Sequence, residues 1–198
     1  MKERKVIYNV LKSISVILLK IVFRPKVYGK ENIPKTGAII LAGNHKHALD
    51  PIVVVSGTKR FVHFMAKEEV SGGLHGKIFD LVGIIRVYRD KSKNIASVLE
   101  AEDMLKSGGT LGIFPEGTRN RTDKPLLKFR IGTVSMATKT ETQIVPFAIR
   151  GNYRIFRKGL EIEFGKPVDV GKMEIQEAND YLKDEVLKLL TKENLYEG

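Results

Sequence analysis

Apolar and polar positions change period along this chain. Residues 4 to 23, RKVIYNVLKSISVILLKIVF, repeat with the 3.6-residue period of a helix and end at Arg24-Pro25, a helix stop. Stepping about 100° per residue puts Lys2, Lys5, Asn9, Lys12, Ser13 and Lys20 in one arc. Ile7, Val10, Leu11, Ile14, Ile17, Leu18, Ile21 and Val22 cover the opposite side, with Val16 and Phe23 out of pattern. From Val27 onward, short apolar runs alternate with helical ones. The runs predict strands at Ala38–Ala42, Phe61–Ala66, Ile84–Tyr88, Thr110–Phe114, Ile144–Ile149 and Leu160–Phe164. Helices are expected at Pro51–Ser56, Leu74–Leu81, Lys93–Lys106, Gly132–Lys139 and Ile175–Leu190, the third capped by Ser92 and followed by Gly108. Strands alternating with helices predict an α/β fold: a single domain with a mostly parallel central sheet flanked by helices. Residues 1–26 read as an N-terminal amphipathic helix and 27–198 as the α/β domain.

A length of 198 residues suits one compact domain, and 42% hydrophobic residues suit a packed core. The chain has no cysteine, which excludes disulfides, thiolate metal sites and a cysteine nucleophile. Its net charge of +11 points to an anionic partner, whether nucleic acid, an acidic membrane surface or a phosphorylated substrate. Residues 1–30 hold eight basic side chains and one acid, Glu3, so they contribute +7 of that charge. A membrane span needs about 20 mostly apolar residues. Here lysines interrupt every such window, and only seven uncharged positions separate Lys12 from Lys20. No small-residue cleavage site follows the apolar run, so a signal peptide is not expected either. A basic amphipathic helix of this kind suits the headgroup layer of an anionic membrane, and the alternative is docking on the protein's own core. Nucleic-acid binding is disfavoured, because the charge sits on an apolar-backed helix and in one later loop.

That charge pattern frames the candidate chemistry. The strand AIILA runs into Gly43-Asn44-His45-Lys46-His47-Ala48-Leu49-Asp50-Pro51. Asp50 before proline reads as a helix N-cap, and His45 lies in the loop leaving a strand end, where α/β folds place ligands. A loop curling into that cap lets the Asp50 carboxylate meet the His45 ring, fix its tautomer and leave the other nitrogen free to take a proton. The pair lacks only a hydroxyl, which a substrate could supply. A metal site from His45, His47 and Asp50, or a purely structural loop, would use the same residues. No G-x-S-x-G occurs to supply a serine nucleophile.

Further along, Arg86 and Arg89 of Gly83-Ile84-Ile85-Arg86-Val87-Tyr88-Arg89 are expected on opposite sides of a strand, with Arg89 favoured for the site. In Phe114-Pro115-Glu116-Gly117-Thr118-Arg119-Asn120, proline ends a strand and Gly117 permits a tight turn, so that Glu116, Thr118 and Arg119 cluster. Residues 115–130 carry five cations against Glu116 and Asp123, a cradle for a phosphate. Pro146 within Ile144-Val145-Pro146-Phe147 predicts an edge strand or a bulge.

These four segments resemble the blocks of the 1-acylglycerol-3-phosphate acyltransferase (lysophosphatidic acid acyltransferase) family. His45 to Asp50 matches its H-x-x-x-x-D block. Gly83, Ile85 and Arg89 match G-x-I-x-x-x-R, Phe114 through Arg119 match F-P-E-G-T-R, and Val145-Pro146 matches a short V-P block. Ala66-Lys67-Glu68-Glu69 and Lys128-Phe129-Arg130-Ile131-Gly132 also fit, while His47 and Tyr88 depart from the usual pattern. The resemblance implies direct acyl transfer from a thioester, acyl-CoA or acyl-ACP, to the sn-2 hydroxyl of 1-acyl-glycerol-3-phosphate. The product is phosphatidic acid for phospholipid biosynthesis. His45 would be the general base and Asp50 its orienter. Arg119, with Arg89 and Lys67, would clamp the phosphate, and Glu116 would bind the glycerol or brace the loop. Gly83, Gly117, Thr118 and Pro146 would complete the substrate-binding set. No metal and no cofactor beyond the acyl donor are implied. The partners would be an anionic membrane surface, a lysophospholipid and acyl-CoA or acyl carrier protein, without nucleic acid. The expected address is the cytoplasmic face of the cell membrane, as a peripheral protein. Glycerol 3-phosphate or another lysolipid is the alternative acceptor.

Overall fold

The computed structural model describes residues 2–70 and 83–192. A long helix, α1 (Lys2–Val22), leads into a seven-stranded sheet. Its strands are β1 (Lys26–Tyr28), β2 (Ile39–Gly43), β3 (Val62–Lys67), β4 (Ile85–Val87), β5 (Thr110–Ile113), β6 (Ile144–Arg150) and β7 (Glu161–Phe164). Between and after them come α2 (Asp50–Ser56), α3 (Lys91–Lys106), α4 (Gly132–Lys139) and α5 (Ile175–Thr191). The spatial order is β1-β7-β6-β2-β5-β3-β4, and only the β6–β7 pairing is antiparallel. The expected α/β architecture is present. The helix expected at Leu74–Leu81 lies outside the described residues.

Strand alternation builds the core on both faces. Ile40 and Ala42 of β2 meet Ala101 and Leu105 of α3, Val134 of α4 and Leu182 of α5 in one apolar cluster. Ile39 and Leu41 face the other side, with Val53 and Val54 of α2 and Leu19 of α1. The central strand is therefore apolar throughout and fully buried.

Three local details differ from the sequence reading. Helix α3 begins two residues early, because Asp90 caps it, accepting from the backbone N–H groups of Ser92 and Lys93 at 3.1 Å each. Strand β4 ends at Val87, so Arg89 stands beyond it and strand alternation does not fix its side. Pro146 lies in an interior strand rather than at an edge. The bulge half of that expectation holds, since Gly165 to Pro167 oppose only Val145 and Pro146 between the Phe147–Phe164 pair and the Ile144–Val168 bridge. The ring's missing N–H falls in that break of the ladder.

Helix α1 is docked on the domain, but not by its apolar stripe. Tyr8 and Leu19 are buried, and the Tyr8 ring lies 3.9 Å from that of Phe61. The Tyr8 hydroxyl accepts from Val62 N–H at 3.1 Å. Lys12 donates to the carbonyls of Thr58 (2.5 Å) and Arg60 (3.1 Å), and its burial lowers its pKa to about 8. Lys12 thus faces the protein instead of joining an outward polar arc. The reason is geometric: a lysine one turn after Tyr8 reaches two open carbonyls with its stem along the helix. Val16 and Phe23, out of pattern in sequence, are half-buried beside this docking face. Opposite it, Val6, Ile7, Val10, Ile14, Ile17, Leu18 and Ile21 remain 39–58% exposed. Among the described residues, no helix is long and apolar enough to cross a membrane.

Candidate active site

Neighbouring strands β2 and β5 send their chains in opposite directions, β2 through α2 to β3 and β5 through α4 to β6. Such a divergence opens a crevice beyond the strand ends. Two of the sequence blocks sit there. After β2, Asn44 is buried and clasps β6: its amide donates to Ile149 O at 2.9 Å and its carbonyl accepts from Ile149 N at 2.7 Å. That clasp fixes where His45 leaves the sheet.

His45 is held at backbone and ring. Its N–H donates to Glu116 Oε1 at 2.8 Å, and its carbonyl accepts from Asn120 N at 2.6 Å. The two motif loops are therefore bonded at one residue. The ring stacks on Phe114, centroids 4.1 Å apart and 17° between planes. Its Nδ1 lies 2.8 Å from Asp50 Oδ2. A carboxylate that only accepts requires the proton on Nδ1, which leaves the lone pair on Nε2.

Asp50 meets His45 as expected but does not cap α2. Its Oδ2 also accepts from the N–H groups of Lys46 (2.7 Å) and His47 (2.8 Å). Its Oδ1 accepts from the Tyr153 hydroxyl at 2.5 Å. The loop's own amides reach the carboxylate, so no side-chain cap remains for the helix, whose first residue is Asp50 itself. Burial, then the charge of Asp50, raises the Tyr153 pKa far above its ordinary value, so the phenol stays a donor. Burial lowers the Lys46 pKa, partly opposed by Asp50. His47 turns its ring onto Tyr153 and accepts from Leu49 N–H at 3.2 Å.

Glu116 is buried at the hub of its loop. One oxygen holds His45, and the other accepts from Leu127 N–H at 2.9 Å. Burial raises its pKa despite these bonds. Of its two expected roles, the contacts are those of a brace. Gly117 has φ 65°, and a Cβ there would sit 2.7 Å from Arg130 Nε, so glycine lets that guanidinium lie over the turn. Thr118 and Arg119 are exposed on this loop, immediately before the Asn120 that bonds His45.

The remaining expected residues lie elsewhere. Lys67 ends β3 in an exposed position. Arg89 follows β4, three strands from β2, or about 14 Å at ordinary strand spacing, and pairs with Glu69. Gly83 precedes β4, where a Cβ would press on the rings of His63 and Phe61, so its placement is a packing one. Pro146 is buried within the sheet. Sequence reasoning did not find Tyr153, the anchoring role of Asn44 or the stacking of Phe114. Asn44 borders one recognised block and Phe114 opens another, whereas Tyr153 carries no local signal.

The assembled groups are an imidazole paired with a buried carboxylate, beside a cationic loop. Residues 24–150 match the family model described as Acyltransferase. The 1-acyl-sn-glycerol-3-phosphate acyltransferase of Borreliella burgdorferi is 31% identical over 177 residues, covering 83% of this chain and 70% of its own. The protein of the same name from Bacillus subtilis is 31% identical over 149 residues, covering 72% and 73%. The crystal structure of the 1-acyl-sn-glycerophosphate (LPA) acyltransferase PlsC from Thermotoga maritima shares the fold. Its TM-score is 0.72 at 24% identity, over 92% of this chain and 78% of that one. The matched segment contains both the His45–Asp50 pair and the loop clasped to it, and the chain belongs to the acyltransferase family.

Proposed function

We propose that the protein transfers a fatty acyl group from acyl-CoA or acyl-ACP to the sn-2 hydroxyl of 1-acyl-glycerol-3-phosphate. The observation that carries this reading is the His45 ring, bonded to buried Asp50 while its backbone is tied to the Arg119 loop. His45 Nε2 takes the proton of the acceptor hydroxyl as that oxygen attacks the thioester carbonyl. Collapse of the tetrahedral adduct breaks the carbon–sulfur bond, and the imidazolium returns the proton to the departing thiolate. Asp50 holds the tautomer and offsets the charge on the ring. Arg119, with Arg130 over Gly117, offers planar donors to the acceptor phosphate. Lys67 at the end of β3 and Arg89 beyond β4, both farther out, suit an outer part of the same substrate. The names of the relatives from Borreliella burgdorferi and Bacillus subtilis support the acceptor.

The exposed stripe of α1 would lie in an anionic lipid surface, with the protein peripheral on the cytoplasmic face of the cell membrane, where thioester donors are available. Thiol release from acyl thioesters tests the reaction, using a panel of lysolipids and free glycerol 3-phosphate. With no cysteine in the chain, the protein adds no thiol background. Turnover is expected with 1-acyl-glycerol-3-phosphate; turnover with glycerol 3-phosphate alone would overturn the acceptor assignment. His45→Ala should lower the rate about 10²- to 10⁴-fold with the fold retained, the usual contribution of a positioned base.

A further inference from the structure

The C-terminal end of α1 is not the sole exposed apolar surface at the site's end of the sheet. Strand β6 runs parallel to β2, so the loop that leaves it emerges beside His45. That loop runs from Gly151 to Gly159 and is pinched at its base. Both glycines have positive φ (75° and 116°), and a Cβ on Gly151 would sit 1.5 Å from the Gly159 carbonyl oxygen. Its tip holds Ile155 and Phe156, 65% and 63% exposed, as fully as any residue of the α1 stripe. Phe156 adopts a left-handed backbone, φ 56°, uncommon for an aromatic residue. It is held there by its N–H, which donates to Val22 O at 2.6 Å. The tip therefore sits at the C-terminal end of α1, next to exposed Ile21. Around it, Arg154, Arg157 and Lys158 face solvent without an acid between residues 151 and 160, and Lys20 and Arg24 add exposed charge from α1.

We propose that the Gly151–Gly159 loop is a second membrane-contacting element, its Ile155–Phe156 tip entering the same anionic lipid surface as α1. An apolar tip ringed by cations matches the headgroup boundary, where acyl chains meet anionic phosphate. The proposal rests on α1 lying against lipid, and it adds a consequence. Tyr153, two residues before the tip, donates to Asp50 and meets Phe23 edge-on at 5.5 Å. One short loop thus joins the lipid contact to the carboxylate behind His45, which sets the catalytic pair at a fixed distance from the bilayer.

The chain has no tryptophan, so a single introduced indole reports its own surroundings. Phe156→Trp, Ile155→Trp and, on α1, Ile17→Trp would each be mixed with vesicles of phosphatidylglycerol and phosphatidylcholine in equal parts. Blue-shifted emission and quenching by nitroxide-labelled lipid are expected for all three variants, and less with phosphatidylcholine alone. If Ile17→Trp responds while Ile155→Trp and Phe156→Trp do not, the loop proposal is overturned and α1 keeps its membrane role. If none responds, both fall. Separately, replacing Ile155 and Phe156 by serine should weaken vesicle binding at least about tenfold. The same variant should turn over a water-soluble short-chain acceptor as the parent does. Unchanged vesicle binding there would also overturn the proposal.

Discussion

Glu116 decides how the two motif loops stay together, and it does so with two acceptors for two backbone donors, His45 N–H and Leu127 N–H. Glutamine has the same shape but only one acceptor, so Glu116→Gln sets an amide NH₂ against one of those donors. An unsatisfied buried donor costs about 1–3 kcal/mol. The variant should lose stability of that order in urea unfolding, and turnover should fall because the displaced loop carries His45. Full stability with selectively weakened acceptor binding would instead assign Glu116 to the substrate. The His45–Asp50 pairing was legible because five-residue spacing before a proline confines the loop. The true partners of Asp50 were not. The amides of Lys46 and His47 reach the carboxylate before any helix amide can, and Tyr153 arrives from a segment 103 residues away. Contacts across that separation leave no periodicity in a sequence.

Helix α1 shows what periodicity reveals and what it leaves open. The stripe was visible, yet the docking face is made of residues that a polar–apolar division separates: Tyr8, Lys12 and Leu19. Lys12 has a measurable signature. Burial holds its folded-state pKa at about 8, below the ordinary 10.5. Between those values the unfolded chain keeps a proton that the folded chain has released, so unfolding takes one up and stability rises with pH. The penalty is greatest below pH 8 and is relieved toward pH 10.5. Replacing Lys12 by methionine should remove this slope. The melting temperature of the parent should climb relative to that of Lys12→Met between about pH 8 and 10; parallel curves would mean that Lys12 remains solvated. Cap choice at α3 failed for a related reason. Asp90 and Ser92 are both good caps, and Asp90 Oδ1 accepts from the Ser92 hydroxyl too, so the aspartate wins and the serine becomes its ligand.

At the scale of the molecule, alternating strands and helices predicted the parallel sheet, because crossover helices must cover both of its faces. Strand order was not predictable from it: β7 turns back against its neighbour β6, and the three-residue β1 depends on pairing with β7 across more than 130 residues. That pairing has a functional consequence. Since β7 runs against β6 and β1 runs with β7, the chain leaving α1 enters the sheet at the same end as His45. Helix α1 therefore runs along the sheet, from Tyr8 at Val62 on the opposite end to Val22 on the His45 end. The C-terminal part of its stripe shares that end with the cationic loop and the His45–Asp50 pair. Full burial of an aliphatic side chain contributes about 1.5–3 kcal/mol, so seven residues half inserted in lipid amount to roughly 5–10 kcal/mol. Ile14 and Ile17 are more than half exposed, so serine at both positions should leave the fold intact. It should weaken vesicle binding about 10- to 100-fold. With acceptor embedded in anionic vesicles, the rate should fall by a similar factor; with a short-chain acceptor in solution, it should not change. Added salt should weaken binding of the parent to anionic vesicles, because each cation near the surface adds about 1 kcal/mol that screening removes. A variant that lost both rates equally would show that the stripe serves the fold, and the lipid contact of α1 would have to be abandoned.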